Sequence, residues 1–448
     1  MRHDKIKSYS SGRFLITNGD LWNASGVRLG VDIAVMDGKV IKIEKDINRS
    51  DFAGFKEIKA KGLVILPAGV DAQVHLRVPG QEQKETAESG LWAAVSGGVG
   101  ALLTMPNTKP VLDNLATLEL AKREVAGSEA ETGVKVLFSA AMTMGQRGRE
   151  CVDFDVLARG GVSAFTDDGV GVADDGVMLQ VFRGAAPTGL PLLQHAEVPG
   201  HGGVLAAGPV QKVIGSVPYP ESAEVDMVDR DLRLLKQVPE ARYHVLHISA
   251  AGTLKSVNEA RRSGLKVTCE VSPHHLFFTS EEIKEDNSAF KMNPPIRSAS
   301  DRDRLQEALA SGDCDFMATD HAPHEREVKT TNFKTSAFGT TGLETSLRVL
   351  LELWNRGILS ETRLVDAWAT APARFLGVSS SFGVIAEGRL FNAVVCDVKA
   401  SSAIVSESDF VGLSRNSCFV GSSLPGRILA TVLGQKIHYM NGFDSGFL

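Results

Sequence analysis

The sequence predicts an α/β protein in which a parallel barrel of eight strand–helix units is joined to a smaller β domain drawn from both chain ends. Two observations predict the division. Between about Val64 and Gly377, short apolar strands alternate with amphipathic helical stretches, the signature of a parallel sheet with crossover helices. At either end, by contrast, short strands are broken by turn residues. The third observation is size: 448 residues with 43% hydrophobic and 23% charged residues can bury one large core or two modest ones, which excludes a disordered or fibrous chain.

The first sixty residues supply Phe14–Thr17, Val31–Met36 and Val40–Ile43, with Asp37-Gly38 as the hairpin turn between the second and third. Ala393–Cys396, Arg427–Leu433 and Lys436–Tyr439 repeat that texture at the far end. Barrel strands are expected at Leu63–Leu66, Ala101–Thr104, Val134–Phe138, Val162–Phe165, Leu190–Leu193, His244–Leu246, Val267–Glu270 and Phe316–Thr319. Helices are expected at Ala87–Val95, Ala116–Val125, Thr253–Ser263 and Asp301–Ala310. Eight units is the count of a TIM (β/α)8 barrel. The implied division is residues 1–63 and 378–448 for the β domain and 64–377 for the barrel.

Composition excludes other classes. The formal charge is −6 and no long basic run occurs, so no nucleic-acid footprint is visible. The polar start, Met1 to Phe14, lacks an apolar signal-peptide segment, and no stretch is long enough to cross a bilayer. Five scattered cysteines without a CxxC pair argue against a disulfide framework, so a soluble protein in a reducing cytoplasm is expected.

Ligand-type residues fall just past successive strand ends. Gln73, His75 and Arg77 follow the first strand at two-residue spacing and share one face if the segment stays extended. Asp167-Asp168, His195, His247 and Asp320 each close a later strand. In a barrel the strand C-termini meet at one mouth, so these imidazoles and carboxylates converge into a set suited to a hydrolytic zinc site. Singly each is weak: a lone His is often a core or loop residue, and Asp-Asp-Gly is ordinary turn chemistry. His244, His274 and His275 read as core or loop residues and His3, His201 and His438 as surface ones; His321 is given no role beyond its place beside Asp320.

The motifs Asp71-Ala-Gln-Val-His-Leu-Arg-Val-Pro-Gly80, Met105-Pro-Asn-Thr108, Phe165-Thr-Asp-Asp-Gly169, Val267 to Leu276, Lys291 to Arg297 and Ala318-Thr-Asp-His-Ala-Pro-His324 occur in order, followed by Gly383 to Gly388 and Arg415-Asn416. Together they resemble those of dihydroorotases, of the amidohydrolase superfamily, over nearly the whole chain. The resemblance implies an amidohydrolase-type TIM barrel flanked by a β-sandwich built from both chain ends. It implies zinc, one or two ions, with His75 and Asp320 on one position, His195 and His247 on the other, and Asp168 bridging. Asp168 is preferred to Asp167 because it directly precedes Gly169. Asp320 is implied as the catalytic base and acid, and Arg77, Asn107, Asn293 and His324 as substrate contacts. The implied reaction interconverts dihydroorotate and N-carbamoyl-aspartate in pyrimidine biosynthesis, and the implied assembly is a homodimer.

One departure stands out. The family's first metal motif is His-x-His, whereas this chain reads Gln73-Val74-His75. An amide oxygen is a poorer zinc ligand than imidazole, so the position shared by His75 and Asp320 is expected to hold metal more weakly. The alternatives are a non-catalytic dihydroorotase-like subunit supporting aspartate transcarbamoylase, and a hydantoinase or allantoinase; members of that third group typically bridge their metals with a modified lysine.

Overall fold

A computed structural model describes residues 5–329 and 332–440. Its centre is an eight-stranded parallel sheet of β1 (Gly69–Val74), β2 (Val99–Thr104), β3 (Lys135–Ala140), β4 (Ala164–Thr166), β5 (Pro191–Gln194), β6 (Arg242–Val245), β7 (Val267–Val271) and β8 (Phe316–Met317), neighbours in that order. A parallel bridge between Val74 and His321 joins the two edges, reinforced by the His75 N–H donating to the His321 carbonyl at 2.8 Å. Strands β1 and β2 are buried at every position, as expected where one face meets the barrel interior and the other its helices. Gly69 opens β1 where no side chain fits: a Cβ there would lie 2.3 Å from the Trp368 ring.

Both chain ends enter one nine-stranded, largely antiparallel sheet. Its main path runs Ile6–Ser10, Lys436–Met440, Arg427–Leu433, Asn392–Asp397, Val64–Pro67, Arg13–Asn23, Gly26–Met36 and Lys39–Glu44, with Lys56–Lys59 beside Arg13–Asn23. An apolar cluster separate from the barrel core, including Phe14, Ile33, Ile65, Phe391, Val395 and Val432, draws on strands from both ends. The sheet thus closes over a core of its own.

The expected first barrel strand, Leu63–Leu66, is corrected. Val64–Pro67 pairs antiparallel with Asn392–Asp397, and the barrel begins two residues later at Gly69. Two adjacent apolar runs, each buried throughout, carry no periodicity that assigns one to either sheet. The chain also leaves extended geometry sooner than expected: β1 ends at Val74, and Arg77 adopts φ 65°. His438 is buried rather than on the surface, bonded through its ring nitrogens to Ser8 Oγ at 2.7 Å and the Thr132 carbonyl at 2.8 Å. His3 lies outside the described residues. Among the described residues no helix is long and apolar enough to cross a membrane.

Candidate active site

The C-terminal ends of the barrel strands carry the site. Gln73 is near the end of β1 and His75 just beyond it; Asp168 follows β4, His195 follows β5, His247 follows β6 and Asp320 follows β8, and all are buried. They form two groups sharing Asp168: Asp168 with His195 and His247, and His75 with Asp168 and Asp320. In the first, Asp168 Oδ1 lies 3.5 Å from His195 Nδ1 and 3.5 Å from His247 Nε2, and those nitrogens are 3.0 Å apart. In the second, His75 Nε2 lies 3.1 Å from Asp168 Oδ2 and 3.2 Å from Asp320 Oδ1.

These spacings test whether the residues suit a metal. Ligands at about 2.0–2.1 Å on a tetrahedral ion stand roughly 3.3 Å from one another, and both groups are close to that value. The donor chemistry agrees, since imidazole nitrogens and carboxylate oxygens suit a divalent ion of the zinc type. Burial opposes charge on His75 and His195, yet hydrogen bonds to Asp168 with Asp320, and to Asp168 with Glu197, prevail and raise them to about 9 and about 10. Burial alone would raise Asp168, but His195, His247 and His75 hold it well below the usual carboxylate range. A carboxylate facing three imidazoles is a place built to share positive charge.

Gln73 is drawn into the same centre. Its Nε2 donates to Asp168 Oδ2 at 3.3 Å, while its buried Oε1 has no hydrogen-bond partner among the described residues. A buried amide oxygen without a donor is costly, and a cation beside it would satisfy it.

The expected substrate contacts gather around this centre. With Nε2 turned to the two carboxylates, His75 donates from Nδ1 to Asn107 Oδ1 at 2.9 Å, which leaves the Asn107 NH2 as a donor. The Arg77 guanidinium is buried, donates from Nε to the Pro323 carbonyl at 3.2 Å, and reaches His324 Nε2 at 3.4 Å. Among the described residues no carboxylate lies within ion-pairing distance of it. Arg77, His247 and Asp320 all have left-handed backbone, at φ 65°, 33° and 49°. Such conformations cost about 1–3 kcal/mol each and persist only where surroundings enforce them, as at functional sites.

Further groups support the site. Asp71 accepts from the Gln73 N–H, the Thr319 N–H and Thr319 Oγ1 at 3.2, 3.0 and 2.6 Å, tying β1 to the segment that carries Asp320. The period-two series Asp71, Gln73, His75 was its visible signal. Asp167 turns away from Asp168 to accept from the backbone of Met142 and Thr143 at 2.8 and 3.1 Å. His321 does more than adjoin Asp320: its Nδ1 accepts from the Gly342 N–H at 3.2 Å, and its Nε2 lies 3.7 Å from Glu85 Oε2. Glu85 in turn accepts from the Leu413 N–H at 2.9 Å, and Asn416 Oδ1 accepts from the His324 N–H at 3.0 Å. A C-terminal segment therefore braces the His321–His324 turn, and a 640 Å³ cavity lined by His324, Lys329, Arg415 and Asn416 lies between them. The segment after His324 contains a short helix, Arg326–Lys329.

A parallel eight-stranded barrel with a second sheet built from both chain ends, and acids and imidazoles at the strand C-termini, defines a hydrolase of the amidohydrolase type. Solved structures share the fold: an L-hydantoinase (dihydropyrimidinase) from Arthrobacter aurescens has a TM-score of 0.81 at 24% identity, with 94% of this chain and 95% of that one covered. A D-hydantoinase (dihydropyrimidinase) from Thermus sp. has a TM-score of 0.79 at 24% identity, covering 95% and 94%. The "Dihydro-orotase-like" family model matches residues 62–253. Dihydroorotases of Bacillus cytotoxicus and Bacillus subtilis are each 35% identical, over 427 and 432 residues, covering 95% and 96% of this chain and 97% and 99% of those proteins. The chain belongs to the dihydroorotase-like family.

Proposed function

We propose that this protein is a dihydroorotase, a zinc-dependent hydrolase interconverting dihydroorotate and N-carbamoyl-aspartate in cytoplasmic pyrimidine biosynthesis, and working as a homodimer. The observation that carries the substrate is Arg77. A buried guanidinium with no carboxylate partner among the described residues calls for an anion from outside, and its planar fork suits a carboxylate. Dihydroorotate bears one; hydantoin and allantoin do not.

Two positions would hold metal, His75 with Asp320 and His195 with His247, bridged by Asp168. A divalent ion held there supplies Lewis-acid polarisation of the scissile carbonyl and acidifies the attacking water. The remaining work belongs to side chains. Arg77 grips the substrate carboxylate beside His324, and Asn107 and Asn293 orient the ring amide. As water adds to the ring carbonyl carbon, Asp320 takes its proton; as the carbon–nitrogen bond breaks, Asp320 delivers that proton to the departing nitrogen. Ring closure reverses each step.

Gln73 stands where the resemblance places a histidine, and we take the His75/Asp320 position to be the weaker of the two. The proposal expects dihydroorotate to be turned over with kcat/KM above that for hydantoin or allantoin. Chelation should abolish turnover and zinc restore it. A subunit that merely supports aspartate transcarbamoylase would bind no metal and stay inactive after zinc is added.

A further inference from the structure

Glu197, two residues beyond His195, touches both halves of the site without belonging to either metal group. Its Oε2 lies 3.1 Å from His195 Nε2 and accepts from Asn293 Nδ2 at 2.7 Å, those two nitrogens being 3.2 Å apart. Its Oε1 lies 2.6 Å from His201 Nε2. His201 is not the surface residue its sequence context suggests: its ring packs on Tyr219 with centroids 3.9 Å apart, and its Nδ1 accepts from the Gly203 N–H at 3.1 Å. His201 Nε2 therefore carries a hydrogen and donates, fixing the carboxylate from the side away from His195.

An ionised carboxylate can only accept, and this dictates the state of both neighbours. His195 must carry a hydrogen on Nε2, so that its neutral, metal-binding form keeps the lone pair on Nδ1, the atom facing Asp168 and His247. Asn293 must turn its NH2 to Glu197, which leaves Oδ1 on the other side; that oxygen is buried and has no hydrogen-bond partner among the described residues. An acceptor held in that way calls for an N–H from a ligand.

We propose that Glu197 is a positioning residue that sets both the tautomer of His195 and the amide orientation of Asn293, so that Asn293 reads a ring N–H of the substrate. This rests on the functional reading above, in which His195 holds metal and Asn293 contacts substrate. Carboxylates behind metal-bound imidazoles typically contribute about 10- to 100-fold in metal affinity, which sets the size of the first effect.

The test combines Glu197→Gln, Asn293→Ala and the double variant. Zinc affinity is measured by competition with a chromophoric chelator, and dihydroorotate by its KM and, through calorimetry, its Kd. Glu197→Gln should weaken zinc binding by about 10- to 100-fold in either background, whereas Asn293→Ala alone leaves zinc affinity unchanged. With zinc held at saturation, both single variants should raise KM and Kd for dihydroorotate, and Glu197→Gln should add no further penalty once Asn293 is alanine. Unchanged zinc affinity in Glu197→Gln, or penalties on dihydroorotate that simply add, would overturn the proposal. If wild-type protein neither binds nor converts dihydroorotate, the functional reading and the Asn293 half fall together, while the zinc measurement still decides the His195 half. Should the glutamine variant not fold, Glu197→Asp keeps the charge, withdraws it by one methylene, and is expected to shift each readout in the same direction by less.

Discussion

Replacing Asp320 by asparagine is expected to lower kcat for dihydroorotate by about 10²- to 10⁴-fold, the range supplied by a positioned acid or base. The substitution keeps the shape of the side chain and removes its ability to accept a proton. It also suits the backbone, because Asp320 has left-handed geometry at φ 49°, which asparagine tolerates well. A loss of rate without a loss of fold is therefore the expected result. Steady-state kinetics in both directions, beside a thermal melt, check it: ring opening and ring closure should fall together, since the same group handles the proton each way. Retention of more than a tenth of the wild-type rate would remove Asp320 from the proton-transfer role.

The Arg77→Gln variant is expected to lose affinity more than rate. Truncating one member of a buried, hydrogen-bonded charge pair costs about 2–5 kcal/mol, which is between roughly 30-fold and a few thousand-fold in kcat/KM. The loss should fall mainly on KM, because the guanidinium grips a carboxylate that takes no part in the bond changes. Dihydrouracil, the same ring without the carboxylate, supplies the control: whatever activity the wild-type protein has toward it should survive in the variant. An equal loss on both substrates would mean that Arg77 supports the site through its bond to the Pro323 carbonyl rather than through a substrate anion.

Much of the architecture was legible because barrel chemistry is written at strand ends. His195 and His247 each close an apolar run after a different strand, so convergence at one mouth followed from the parallel topology alone. Leu63–Leu66 was misplaced for an equally physical reason: it and β1 are adjacent, apolar and buried throughout, and only strand pairing separates them. Arg77 could be placed near the site, but the turn that carries it there is a left-handed residue with no signature in its side chain. Glu197 and Asp71 lay within two residues of recognised positions on the same period and could have been found by extending it. Glu85 could not, since its role depends on Leu413 and His321, which are far away in sequence.

The two metal positions proposed for this protein are made unequal by Gln73. The Gln73 amide nitrogen donates to Asp168 and its buried oxygen has no hydrogen-bond partner among the described residues, so that oxygen is available to a cation, but it is a weaker ligand than imidazole. The most direct test is a zinc titration of metal-stripped protein in which bound equivalents and dihydroorotate turnover are read from the same samples, for the wild type and for Gln73→His. The wild type is expected to take up about one equivalent tightly and a second weakly, with turnover returning as zinc is added, and Gln73→His to bind both tightly. Wild-type protein that binds no zinc and stays inactive at every concentration, or that binds two equivalents with the same affinity as Gln73→His, would contradict the account.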